Sequence, residues 1–331
     1  MRTPRFPRSA CYNPDWLIAS ASGGANALWL TEWLSEAIEL EPGMRILDLG
    51  CGRAVSSIFL QREFGVDVWA TDLWFSASEN LARIRDAGVD SHVFPLQCDA
   101  RSLPYAEGFF DAIVSIDSFV YYGTDDTYLP YIARFVRPGG VLAMAGAGLL
   151  REIDGVLPAH LREWWEPAMW SLHSAAWWRR HWEKPNLVTV ERADAMPEGW
   201  RAWLDWQHAV APDNFVEIRT LEDDRGEYLG YVRAVARRRL DVPLEEPIRS
   251  VPTQYTKHPM LRGDSRERSA SRFPPLCRRG ARLRRRMVRE DPTPDRASAG
   301  GRAPGRGRAH RPSPLTSTSS TRKRHVARDR K

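Results

Sequence analysis

The stretch "RILDLGCGRAVSSIFL", residues 45–60, decides the fold. It opens as a short apolar run interrupted by one acid, Asp48. It then passes Gly50 and Gly52 and continues in a helical pattern. A strand that turns on glycine into a helix gathers backbone N–H groups and a helix N-terminus at one spot, which attracts negative groups. The dinucleotide fingerprint G-x-G-x-x-G would need a third glycine at position 55, where this chain has Val55. Asp48 would also repel a pyrophosphate: at an effective dielectric of about 20, two unit charges ~5 Å apart interact by roughly 3 kcal/mol. The same carboxylate favours an ammonium. A ligand with both charges, such as an amino-acid moiety, satisfies the turn amides and Asp48 together.

Outward from this stretch, apolar runs alternate with helical patterns. Runs at 66–73, 91–99, 110–117 and 139–148 follow the first, with helix-like stretches at 53–63, 76–87 and 127–136 between them. Such alternation predicts βαβ units on a parallel sheet buried on both sides. Residues 151–225 are mostly helical in period, and 187–194 and 228–239 read as two further strands. The expected fold is α/β: a Rossmann-like, seven-stranded, mostly parallel sheet with one antiparallel strand and helices on both faces. The expected division is a segment over the site at 1–25 and a folded domain at 26–244, with Trp-rich helical insertions at about 151–185 and 195–225. Residues 245–331 form a tail.

Asp72 ends the second strand, 22 residues after Gly50, where an acid accepts hydrogen bonds from ribose hydroxyls. Asp99 closes the third strand and can accept from an adenine amino group; a turn-initiating Asp is the plainer reading. Amino acid, ribose and adenine together describe S-adenosyl-L-methionine. Here "ILDLGCG", "ATDL", "CDARSLPYAEGFFDAIVSID" and "RFVRPGG" resemble the consecutive motifs of class I S-adenosylmethionine-dependent methyltransferases. The resemblance is close over about residues 24–150 and extends in element order to about 240. It implies that Asp48, Gly50 and Gly52 hold the methionine part and that Asp72 takes the ribose, with Leu73 lining the adenine. It further implies that Asp99 and Ala100 contact the adenine edge and that Ser115 lies beside the transferable methyl. One departure is visible: the family commonly has glycine where this chain has Ala54.

Methyl transfer from a sulfonium needs alignment more than acid–base machinery, and no catalytic triad is present. Asp117, Tyr121 and Tyr122, just after the fourth strand, are candidates to polarise an acceptor, as is His173. Loop capping, packing and a surface position are their plain readings. Nine of the 14 tryptophans fall between Trp164 and Trp206. At helical spacing they form one face, either core or an aromatic wall over the site.

The charge is divided. Residues 247–331 carry 24 Lys and Arg against 6 Asp and Glu, leaving 24 against 36 for residues 1–246. The tail is poor in large aliphatics and is expected to be disordered and basic. Nucleic acid is a conceivable partner for such a tail and an unfavourable one for an acidic core. The four cysteines, Cys11, Cys51, Cys98 and Cys277, show no metal or disulfide spacing. No apolar run is long enough to cross a bilayer. The sequence therefore predicts a cytoplasmic methyltransferase with a small-molecule acceptor and no metal. The alternatives are a nucleic-acid or protein methyltransferase docking through the tail, or a non-catalytic S-adenosylmethionine-binding protein.

Overall fold

A computed structural model describes residues 4–244; the expected tail at 245–331 lies outside the described residues. Five strands come first: β1 (Arg45–Leu49), β2 (Asp67–Asp72), β3 (Val93–Gln97), β4 (Phe110–Ile116) and β5 (Val136–Leu149). They are followed by β6 (Val188–Ala195) and β7 (Leu229–Arg238). All seven form one sheet in the order β3-β2-β1-β4-β5-β7-β6. The first five run parallel, and β7 is antiparallel to both of its neighbours. From β1 the chain steps one way through β2 and β3, and from β4 the other way through β5. With right-handed crossovers, this reversal puts helices on both faces and opens a crevice at the carboxyl ends of β1 and β4.

The helices are α1 (Pro14–Ala19), α2 (Ala27–Ser35), α3 (Val55–Phe64), α4 (Ala77–Asp86), α5 (Tyr128–Ile132), α6 (Ala175–Glu183), α7 (Gly199–Val210) and α8 (Phe215–Asp224). Local chemistry sets their ends. Asn13 and Asn26 cap α1 and α2, and Ser76 with Glu79 forms a capping box on α4. Gly65, at φ +67°, ends α3. One segment differs from the sequence reading. The helix expected over 127–136 stops at Ile132, and β5 begins at Val136, before the Pro138-Gly139-Gly140 turn. Val136 already pairs with Phe110, and a register shift between Phe110 and Ala112 absorbs the turn.

The core is continuous from α2 through the sheet to α6 and α7. Trp178 and Trp182 pack edge-on against Phe119, and Trp203 stacks on Tyr231. Most of the tryptophan stripe on α6 and α7 is therefore core. Arg233, buried in β7, ties α2 to the sheet. Its guanidinium lies 4.4 Å from the Trp33 ring, donates to the Trp33 carbonyl, and forms a fork with Asp194 at 2.7 and 3.1 Å. Removing the carboxylate would leave a buried guanidinium without its main partner. Asp194→Ala is therefore expected to lower stability by about 2 kcal/mol, discounted for the partial exposure of Asp194. The urea-unfolding midpoint measures this.

Candidate active site

Between Gly50 and Ala54 the backbone alternates: Gly50, Gly52 and Ala54 have φ of +75°, +54° and +60°, while Cys51 and Arg53 stay on the ordinary side. Alternation of this kind curls the backbone into a nest-like turn, whose amides are held by the Thr71 carbonyl, Asp72 and Ser22. It also explains the glycines. A β-carbon on Gly50 would sit 1.9 Å from Ser118 Oγ, and one on Gly52 would sit 2.4 Å from Ser22 Oγ. Ala54 occupies a left-handed position at the start of α3, which is where related sequences commonly carry glycine.

The nest opens into a cavity of about 360 Å3. Its walls are the tips of β1 (49–52), β2 (71–75), β3 (98–101) and β4 (116–118), with Tyr121, Tyr122, the N-terminal segment around 20–27, and Trp206 of α7. Asp72 ties two tips together. One oxygen accepts from Gly52 N at 2.8 Å, and the other from Trp74 N and Phe75 N at 2.7 and 3.0 Å. Asp99 faces the cavity in a fork with Arg101, with contacts of 3.0 and 2.8 Å. Those hydrogen bonds hold its carboxyl below the usual range. Asp117 is left-handed, at φ +53°. Its oxygens accept from Ala25 N (2.7 Å) and Ala147 N (3.0 Å), so it joins the N-terminal segment to β5. Asp117 is half-buried on the cavity wall, and burial raises its pKa against those two hydrogen bonds. The Tyr122 hydroxyl lies 3.1 Å from both Ser115 Oγ and Ser118 Oγ. Burial pushes its pKa up, so Tyr122 is a neutral hydrogen-bonding group rather than a base.

Of the residues singled out from sequence, Gly50, Gly52, Asp72, Leu73, Asp99, Ala100, Asp117 and Tyr122 line this cavity. Three do not. Asp48 is sealed beneath the nest, where one oxygen accepts from Ser56 Oγ and Ser57 Oγ, each at 2.6 Å, and the other has no partner. It supports the first turn of α3 instead of facing a ligand. Ser115 lies behind the wall, donating to the Leu49 carbonyl at 2.9 Å. His173 is elsewhere, stacked on Trp177 at 3.7 Å and 3.0 Å from Glu152 Oε2. Its carbonyl accepts from Leu149 N at 3.2 Å at the end of β5, and it does not line the cavity.

Sequence reasoning did not single out Ser22, Ser118, Trp74 or, individually, Trp206. Ser22 Oγ accepts from Arg53 N at 3.0 Å, so the N-terminal segment covers part of the nest. Trp206 Nε1 donates to the Gly24 carbonyl at 3.0 Å. The spacing of Trp206 in α7 carried a core signal, and the residue is both core and wall. Ser22 had no sequence signal beyond its serine- and glycine-rich neighbourhood.

A glycine nest at the switch point of this strand order, with an acid on each of the next two strand tips, defines the class I methyltransferase fold. Residues 46–140 match the family model described as "Methyltransferase domain". Over these residues the chain carries a methyltransferase domain, set in the class I fold. It is 33% identical over 131 residues to methyltransferase GfsG of Streptomyces halstedii, covering 39% of this chain and 47% of that protein. It is 25% identical over 197 residues to 2-methyl-6-phytyl-1,4-hydroquinone methyltransferase of Synechocystis sp., covering 54% and 58%. The chain thus spans about half the length of these curated relatives. The fold is shared with geranyl diphosphate C-methyltransferase of Streptomyces coelicolor A3(2), solved with Mg2+, geranyl diphosphate and S-adenosyl-L-homocysteine. That match has a TM-score of 0.51 at 20% identity, covering 63% of this chain and 76% of that one. Among the described residues no helix is long and apolar enough to cross a membrane.

Two predictions concern the nest. Burial raises the Asp48 pKa from 3.8 to about 6, against the hydrogen bonds of Ser56 and Ser57. The folded state therefore favours protonated Asp48, and ionising it costs stability as pH rises from about 4 to about 6. Relative to Asp48→Asn, the wild type is expected to lose roughly 3 kcal/mol over that window and to match the variant at lower pH. Urea unfolding at stepped pH tests the sign. Ala54→Gly relieves a left-handed alanine and is expected to stabilise by about 1 kcal/mol, read as a raised unfolding midpoint.

Proposed function

We propose that the protein is an enzyme that moves the methyl group of S-adenosyl-L-methionine to a small-molecule acceptor by in-line displacement. One observation carries this reading: the glycine turn, Asp72 and Asp99 converge on a single cavity at the switch point of the sheet. The residues fit the cofactor. The backbone at Gly50 and Gly52 leaves no room for side chains and so brings the main chain itself to the cavity wall. Asp72 uses three of the roughly four acceptor positions of a carboxylate on backbone amides, which leaves one for a ribose hydroxyl. Asp99 and Ala100 face the place for the adenine edge, and Leu73 the adenine plane. When bound, the cofactor supplies an electrophilic methyl on a sulfonium.

The chain's own part is to hold, orient and exclude water. The segment at 20–27 closes one side of the cavity, pinned by Arg53, Asp117 and Trp206. This gives the N-terminal residues 1–25 a role as a cover over a domain at 26–244. Asp117 can accept a proton that the acceptor loses, because burial raises its affinity for one. Tyr122 donates to the Leu49 carbonyl and shapes the adjoining wall. Cys11, Cys51 and Cys98 are free thiols, which fits a reducing cytoplasm.

Calorimetric titration with S-adenosyl-L-methionine tests the cofactor reading, and incubation with methyl-labelled cofactor and a metabolite extract tests transfer. Asp72→Ala is expected to weaken cofactor binding by about 1–3 kcal/mol. Equal binding by variant and wild type would remove Asp72 from the site.

A further inference from the structure

Resting on the methyltransferase reading, we infer that the acceptor is an amine with a flat or apolar body. Its nitrogen is held by Asp117 and its body lies against Trp74 and Tyr121.

The argument starts from charge. Arg101 is the single basic residue among those lining the cavity, and its guanidinium is committed to Asp99 at 2.8 and 3.0 Å. Asp72 is committed to the ribose side. Beside the N-terminal segment, the charged side chain left on the wall is Asp117. Its two oxygens each accept one backbone N–H, at 2.7 and 3.0 Å, and no cation faces them. A carboxylate has about four acceptor positions, so two remain for donors entering from the cavity. Glu217, whose carboxyl burial pushes up, also feels the negative charge of Asp117. The potential at this end is therefore negative, and nothing on the wall offsets it. A carboxylate or phosphate on the acceptor would lose affinity by roughly 100-fold from one like-charge contact at ~5 Å. An amine gains from the same field.

The mouth supplies the rest. Trp74 is 72% exposed, Tyr121 62% and Leu73 49%, all three on the rim of the cavity. The rings of Trp74 and Tyr121 form a tilted pair with centroids 6.2 Å apart, one apolar patch at the mouth, and Tyr121 lies within the field of Asp117. Large apolar side chains left in water at a cavity mouth mark a contact surface. Their faces also favour a cation or a flat ring. A cavity of about 360 Å3 is near the lower end of the range for one drug-sized ligand. With the cofactor inside, the body of the acceptor has to occupy the mouth.

The test uses the full chain saturated with S-adenosyl-L-homocysteine and four matched probes: phenethylamine, 2-phenylethanol, 3-phenylpropionate and phenethyl phosphate. Affinities are read by ligand-observed NMR. The amine is expected to bind at least 10-fold more tightly than the alcohol and at least 100-fold more tightly than either anion. Asp117→Asn, which keeps the shape and tolerates left-handed backbone, should shrink the amine–alcohol gap to under 3-fold. Trp74→Ala, at an exposed position that the fold does not depend on, should weaken amine and alcohol by a similar factor of about 10. An anion binding as well as the amine, no amine preference, or no probe binding to the loaded protein overturns the inference. Failure of S-adenosyl-L-homocysteine itself to bind overturns the underlying reading instead.

Discussion

The turn from Gly50 to Ala54 is the constraint on which the rest of the site depends. Three left-handed residues in five fix the direction of the amides and bring the backbone within a side chain's width of Ser22 and Ser118. Such a turn is unfavourable in isolation for any residue with a β-carbon, and Ala54 bears that cost directly. What holds it is a set of hydrogen bonds from neighbouring tips. Gly50 N and Cys51 N donate to the Thr71 carbonyl at 2.8 and 3.1 Å, and Gly52 N donates to Asp72. The nest is thus a property of β1 and β2 together. The parallel pairing of Leu49 with Thr71 sets its position.

Asp48 shows why an acid next to such a turn does not have to be a ligand contact. Its oxygens reach Ser56 and Ser57 in the first turn of α3, so the strand and the helix it feeds are clamped from below. A fully buried carboxylate with one unpaired oxygen is expensive, and its raised pKa is the expression of that expense. The negative end of the cavity instead owes its character to Asp72, Asp99 and Asp117. Of these, Asp117 has neither a nearby cation nor a ribose-side assignment.

Much of the architecture was legible in the sequence because parallel strands buried on both faces read as unbroken apolar runs, and glycines mark where they turn. The seven strands with one antiparallel strand followed from the order of the elements along the chain; their order in the sheet did not. The orientation of Asp48 was not legible. In a strand with no solvent face, alternation carries no sign to say which side a polar residue faces. Contacts between residues far apart in sequence were equally hidden: Ser22 with Arg53, Ala25 with Asp117, and Trp206 with Gly24. His173 lies at the end of β5, bonded to Leu149 N, yet its ring is turned to Trp177 and Glu152 and not into the cavity, a direction that sequence does not encode.

The N-terminal segment is held by two kinds of contact with different energetic weight. Upstream, the buried carboxylate of Glu32 accepts from Arg8 N, Ser9 N and Ser9 Oγ at 3.0, 2.7 and 2.6 Å. Phe6 stacks on Trp29 at 5.6 Å. Breaking that anchor would strand a buried charge and expose an aromatic ring, so it is worth several ordinary hydrogen bonds. Over the cavity, the segment is tied by single hydrogen bonds to Arg53, Asp117 and Trp206, each worth about 1 kcal/mol net. Between the Arg53 and Asp117 ties lie Gly23 and Gly24, at φ +91° and +64°. A chain firmly fixed at one end and lightly pinned across the site concentrates its conformational freedom between residues 20 and 25. Those are the residues a ligand in the nest would touch, so the ease of filling the cavity depends on a few exchangeable hydrogen bonds while the anchor stays in place.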